Sequence, residues 1–235
     1  MVDFVVLKQR NADRWSKAKL TRPAEFNGPA HKAVANKQTY LDVVRAAGMP
    51  NIAWVFVAAS HYREASQDFT KNLGQGDPLG KVTIHIPKGR GPFTGPDAFV
   101  NAAVDALKDC PPYAARETDW SIAGMLTMLE RYNGLGYAAR GLASPYLWSG
   151  TNQYVRGKFV ADGVFDPSVV DRQLGCAGLL MRMMQIDPTI SLTAATSTPR
   201  PPPRSGPAPQ PKSAPQPSSW AAFLSATISI FKRAS

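Results

Sequence analysis

Ile52-Ala-Trp-Val-Phe-Val-Ala-Ala59 is an uninterrupted apolar run, and Ser60-His61-Tyr62-Arg63-Glu64 follows it directly. A helix that is apolar all round must be buried, so a helix over about Asn51 to Glu64 is expected at the centre of a core, with Glu64 carried to its edge. Beyond Glu64 come turn formers, Gly74, Gly76, Asp77, Pro78 and Gly80, and then alternating β-branched residues, Val82-Thr-Ile-His-Ile86. This change predicts a loop leading into a β-hairpin region that reaches about Phe93, with the carboxylate at a helix-to-sheet junction.

The remaining elements are read outward from this centre. Residues 1–38 are polar, with Pro23, Gly28 and Pro29, and read as an irregular amino-terminal arm. Thr39 is expected to cap a short helix with Tyr40, Leu41, Val43 and Val44 inward, stopped by Gly48-Met-Pro50. Ala98 to Leu107 repeats apolar residues at helical spacing and ends before Pro111-Pro112. Asp119 to about Tyr132 predicts a helix packing Ile122, Met125, Leu126 and Leu129, closed by Asn133-Gly134-Leu-Gly136. Tyr146, Trp148 and Tyr154 fall in a loop, and Pro167 is expected to open a last helix holding Val169, Val170, Leu174, Cys176, Leu179 and Leu180.

The domain so defined spans 39–190, in an α+β fold that is mostly α with one small hairpin. Residues 191–219 are dominated by Pro, Ser, Ala and Gln, with no acid from Thr198 onward, and read as a semi-extended linker. The segment 220–235, with Trp220, Phe223, Leu224, Ile228, Ile230 and Phe231 before Lys232-Arg233, reads as a short apolar tail able to meet an anionic membrane, lipopolysaccharide or a partner.

A formal net charge of +10 and a pI near 9.8 favour polyanionic partners. No basic patch interleaves with aromatics and no nucleic-acid module is recognisable, so a nucleic-acid partner is not expected. Cys110 and Cys176 each lie in an apolar helical stretch and read as buried free thiols. Neither cysteine stands at metal-ligand spacing from the three histidines, so no metal and no cofactor are expected. The opening Met1-Val-Asp-Phe-Val-Val-Leu-Lys8 is too short for the apolar core of a signal peptide, and no run reaches the roughly 18 apolar residues of a spanning helix. The expectation is a soluble monomer made in the cytoplasm, without a secretory address of its own.

A carboxyl group at the carboxy end of a buried helix meets desolvation and the negative pole of the helix, and both favour its protonated form. Glu64 is therefore a candidate proton donor. Asp77 follows in a polar Gly-Asp-Pro turn, where an aspartate should stay ionised, and Thr83 lies six positions further on. A neutral acid, a charged carboxylate and a water-orienting hydroxyl together suit glycosidic bond cleavage.

Arranged in this order, the residues resemble the lysozyme superfamily, bacteriophage endolysins and bacterial muramidases in particular. The resemblance rests on His61-Tyr-Arg-Glu64 followed by the Gly-rich hairpin region, on the offset from Asp77 to Thr83, and on Tyr132-Asn133-Gly134 with Gly136-Tyr137. The last of these is similar to the Tyr-Asn-Gly element of goose-type lysozymes and lytic transglycosylases. The resemblance implies a helical domain whose hairpin lines a saccharide cleft. It further implies cleavage of the β-1,4 bond between N-acetylmuramic acid and N-acetylglucosamine, with Glu64 as general acid and Asp77 and Thr83 holding a water. His61, Tyr132, Asn133, Gly134 and Tyr137 would then contact substrate, and the protein would reach the cell wall after release or delivery. A lytic transglycosylase forming an anhydromuramic product is the alternative within this chemistry.

Each of these residues also has a purely structural reading. His61 can be a core histidine, Asp77 a turn former, Thr83 a strand residue, and Tyr132, Tyr137, Tyr146 and Trp148 core packing. Lys88-Gly-Arg-Gly-Pro-Phe93 can bind polymer anions or form a solvated loop. A non-catalytic wall-binding or virion structural module is the rival from another class.

Overall fold

The computed structural model describes residues 2–192. Asp3 starts the first helix, α1 (Phe4–Lys17), by accepting from the amides of Val5 at 2.8 Å and Val6 at 3.2 Å. Leu7 and Asn11, one turn apart, are its buried residues. After a 3₁₀ turn at Pro23–Phe26 come α2 (Asn27–Ala35) and α3 (Lys37–Ala47). The irregular arm expected for residues 1–38 is thus two helices and a turn, and it belongs to the core. Its charged composition hides the few contacts that matter: Leu7 on α1, and Phe26, Ala30 and Ala33, each fully buried.

α3 begins two residues before Thr39, without a side-chain cap, and buries Tyr40, Val43, Val44 and Ala47. Gly48 ends it in the left-handed conformation, φ 72°. α4 (Trp54–Ala65) is the central helix, and all residues from Trp54 to His61 are buried, as are Glu64 and Ala65. Ser66 and Gln67 turn left-handed after it. Then follow α5 (Ala98–Lys108), which buries Phe99, Ala102, Ala103, Ala106 and Leu107 at helical spacing, and α6 (Ile122–Asn133), capped by Ser121. Two one-turn helices, α7 (Gly136–Ala139) and α8 (Pro145–Trp148), occupy part of the expected loop.

The hairpin lies elsewhere than expected. Residues 81–97 form an irregular loop, and Val82, Ile84 and Ile86 are 51%, 71% and 55% exposed. Pro87 and Pro92 lack the amide a ladder needs, and the alternating side chains find no layer to cover them. The two-stranded antiparallel sheet instead joins β1 (Lys158–Ala161) to β2 (Val164–Asp166). Its turn is Asp162-Gly163, with Gly163 at φ 73°.

The last helix, α9 (Cys176–Ile186), begins well after Pro167; residues 167–175 are irregular, and Val170 is 51% exposed. α1 packs on α6, α2 on α9, and α3 on both α4 and α5, while α4 also meets α9. The 3₁₀ turn also meets α9, where a Cβ at Gly178 would stand 2.3 Å from the Phe26 ring. Ile190 and Leu192, at the end of the described residues, are buried. The linker beyond Leu192 and the tail from Trp220 lie outside the described residues. Among the described residues no helix is long and apolar enough to cross a membrane.

Candidate active site

α4 delivers Glu64 to its last turn, where the residue is 5% exposed. The hydroxyl of Tyr146, on α8, donates to Glu64 Oε1 at 3.0 Å. Tyr132, on α6, packs edge-on to Phe56 and has a buried hydroxyl with no hydrogen-bond partner. Burial, and after it the charge of Glu64, pushes the Tyr132 and Tyr146 hydroxyls well above the ordinary tyrosine range, so both are protonated donors. Cys176, at the start of α9, is raised by burial too. Three helices therefore bring two phenols and a thiol around one carboxyl group.

The carboxy end of α4 is tied down by polar contacts from residues 167–175. Gln173 Nε2 donates to the carbonyls of Tyr62 at 3.2 Å and Arg63 at 3.1 Å, in the last turn of the helix; the Tyr62 carbonyl also accepts from the Ser66 amide at 3.0 Å. Arg63 forms a buried ion pair with Asp171 at 3.0 Å, and its guanidinium lies 4.9 Å from the centre of the Tyr146 ring. Tyr146 and Asp171 escaped the sequence reading as partners of this site. Only the aromatic cluster at Tyr146-Leu-Trp148 hinted at the first, and an isolated aspartate gives no local signal for the second.

Asp77 and Thr83 organise the loop that replaces the expected hairpin. Asp77 is 5% exposed. Its Oδ2 accepts from the amides of Ile84 at 2.9 Å and His85 at 3.0 Å, and Oδ1 accepts from His85 Nδ1 at 2.6 Å. Burial would raise this carboxyl, but the bonds from His85 and Ile84 outweigh it and hold it below the usual aspartate range, as expected of an ionised group. The Thr83 hydroxyl donates to the Pro87 carbonyl at 2.8 Å and accepts from the Arg90 amide at 2.9 Å. Its single proton is thus engaged within the loop.

His61 is not placed to touch a substrate. It is fully buried, its Nε2 donates to the Asp68 carbonyl at 3.1 Å, and Nδ1 faces the Tyr40 hydroxyl at 3.0 Å. Because a carbonyl only accepts, Nε2 carries a proton. Phe69 and Phe99 pack against the ring. The residue expected as a substrate contact thus lies in the core, one turn before Glu64.

Tyr137 is 4% exposed, and its hydroxyl accepts from the Phe159 amide at 3.0 Å, so it anchors β1. Asn133 is 8% exposed at the end of α6, and Gly134 follows with φ 101°. The Tyr-Asn-Gly element thus spans from the surroundings of Glu64, through Tyr132, to the β-hairpin, through Tyr137. A depression of about 140 Å³ opens beside that hairpin among Tyr137, Tyr154, Arg156 and Phe165. A wider groove of about 670 Å³ runs over Phe69, Leu79, Phe93 and Phe99, and Glu64 lines neither.

The Glu130 carboxyl is raised by burial to about 8. It faces Arg14 and Arg10 beneath α1 and is 1% exposed, which is a packing position rather than a substrate-facing one. Among the described residues no three His, Cys, Asp or Glu side chains gather as a metal site requires. Comparison with family models, curated proteins and solved structures gives no match to this chain.

Proposed function

We propose that this protein is a peptidoglycan-cleaving glycosidase of lysozyme type, with Glu64 as the general acid. The observation that carries the reading is the buried Glu64 carboxyl in the last turn of the central helix, bonded by Tyr146 at 3.0 Å. An acid held that way has one orientation and little competition from water, which general acid catalysis needs. The net charge of +10 suits an anionic wall polymer as substrate.

In the proposed reaction Glu64 gives its proton to the glycosidic oxygen between N-acetylmuramic acid and N-acetylglucosamine, and the C–O bond at the muramic C1 breaks. Either a water on the opposite ring face bonds to C1 and gives its proton to Asp77, or the muramic 6-hydroxyl bonds to C1 and gives its proton to the Glu64 carboxylate. The engagement of Thr83 and of both Asp77 oxygens within their own loop favours the second course, a lytic transglycosylase leaving an anhydro product. Asp77 retains a lone pair for a water, and hydrolysis with inversion is the alternative.

Purified peptidoglycan incubated with the wild type and with Glu64→Gln tests the reading, and mass spectrometry of the fragments separates anhydro from reducing ends. The amide should slow cleavage by at least about a hundredfold with the fold intact. A fully active Gln variant sinks the assignment, and a wild type that binds walls without cutting them replaces it with a wall-binding module.

A further inference from the structure

Arg63 precedes Glu64 on the last turn of α4, and its side chain is 8% exposed. Burial works against the guanidinium charge; Asp171, at 3.0 Å and itself 7% exposed, is the largest influence favouring it. Nη2 donates to Asp171 Oδ2, while Nη1 donates to the carbonyls of Gln173 at 3.0 Å and Leu174 at 3.3 Å. The guanidinium covers the Tyr146 ring, whose hydroxyl reaches Glu64. A buried full charge therefore lies one aromatic ring away from the candidate acid.

Asp171 is itself held from several sides. Its Oδ1 accepts from the Gln173 amide at 3.1 Å and faces Lys158 Nζ, on β1, at 3.5 Å. Its own amide donates to the Tyr154 hydroxyl at 3.0 Å, and its carbonyl accepts from Ser149 Oγ at 2.6 Å. Burial would raise the carboxyl, but Arg63 and then Lys158 outweigh it and keep it ionised.

The groups around Glu64 show what such a charge could affect. On its own helix are Arg63 and His61; α8 contributes Tyr146, α6 Tyr132 and α9 Cys176, with Asp171 and Lys158 beyond Arg63. The two phenols and the thiol stay neutral because burial raises them. Arg63 is a cation held over the ring that bonds the acid, and Asp171 is its counter-charge.

We propose that Asp171 is a positioning residue for Glu64, acting through Arg63: it anchors and neutralises the buried guanidinium, so that Glu64 can retain the proton it is to deliver. Without that carboxylate the cation would favour an ionised Glu64 and weaken the acid. This inference rests on the reading of Glu64 as a proton donor, and its test does not depend on catalysis.

The full chain is labelled with ¹³C in the glutamate side chains, and the Glu64 carboxyl resonance is identified by its absence in Glu64→Gln. Its titration is then followed in wild type, Asp171→Asn, Arg63→Met and the Arg63→Met/Asp171→Leu double variant. Asp171→Asn should lower the Glu64 midpoint by about one pH unit, and Arg63→Met should raise it. The double variant, with both charges gone, should return it close to the wild-type value. Wall cleavage by Asp171→Asn should fail at a lower pH than the wild type, and the double variant should regain the lost range.

Equal midpoints in wild type and Asp171→Asn overturn the proposal, as do equal midpoints in Arg63→Met and the double variant. Should Asp171→Asn not fold, that second comparison decides, because replacing a buried pair by apolar residues is well tolerated. An inactive wild type whose midpoints shift as described refutes the glycosidase and leaves the electrostatic relation standing. An active wild type with unmoved midpoints does the reverse.

Discussion

The Tyr146 hydroxyl and Glu64 Oε1 meet at 3.0 Å across 82 positions of sequence. The bond joins the one-turn helix α8 to the end of α4, so the orientation of the carboxyl depends on how those two elements pack. Tyr146→Phe isolates the hydroxyl, because the ring can stay beneath Arg63. The expected outcome is a stability loss of about 1 kcal/mol and wall cleavage slowed by roughly tenfold. Denaturant unfolding and initial rates measure both, and an unchanged rate would make the hydroxyl a bystander.

Glu130 imposes a pH dependence on stability. Its carboxyl is raised from 4.5 to about 8, so between those values the folded state holds a proton that the unfolded chain has released. Its contribution is most favourable below about pH 4.5, falls as pH rises toward 8, and is constant beyond, a swing on the order of 3 to 5 kcal/mol. Glu130→Gln should leave Tm nearly unchanged at pH 4 and raise it by several degrees at pH 8.5. Calorimetry at the two pH values checks this, and a Tm gain equal at both would refute it.

The loop at 81–97 offers a converse case. Asp77 is held below 3.8 by its bonds to His85 and Ile84, which overcome its burial. The stability it contributes is present above that value and is lost as pH falls through its lowered folded value. Asp77→Asn should destabilise the protein by about 1–3 kcal/mol at pH 7 and speed amide exchange at Ile84 and His85. Exchange rates indistinguishable from wild type would mean that the loop has another anchor.

Gly178→Ala tests the contact between the amino-terminal elements and α9. A Cβ there would stand 2.3 Å from Phe26 Cζ, so the ring must move. A loss of about 1–3 kcal/mol is expected, partly recovered by adding Phe26→Leu. Thermal unfolding of the two variants measures it.

The sequence revealed the central helix because Ile52 to Ala59 has no polar interruption, and α5 and α6 because their apolar residues recur at helical spacing. It misled at the amino terminus, where α1 buries only Leu7 and Asn11 and so carries almost no apolar stripe. It misled again at Val82, Ile84 and Ile86, whose alternation imitates a strand while prolines deny it a ladder. The actual hairpin carried a signal in Asp162-Gly163, a dipeptide suited to a tight β-turn. Within the site, the burial of Glu64 followed from local pattern. Its partners Tyr146 and, through Arg63, Asp171 arrive from distant segments, and no local periodicity encodes such pairings.

The surroundings of α4 bear on how this molecule can diversify. Every residue from Trp54 to His61 is enclosed, so the helix can neither slide nor tilt without disturbing the whole interior. Residues 66–97 and 149–175, in contrast, are mostly irregular and reach the surface. Residues 79–97 carry none of the contacts that Asp171, Gln173 and Leu174 make to the end of α4, so substitutions there can reshape the surface while the carboxyl of Glu64 stays where it is.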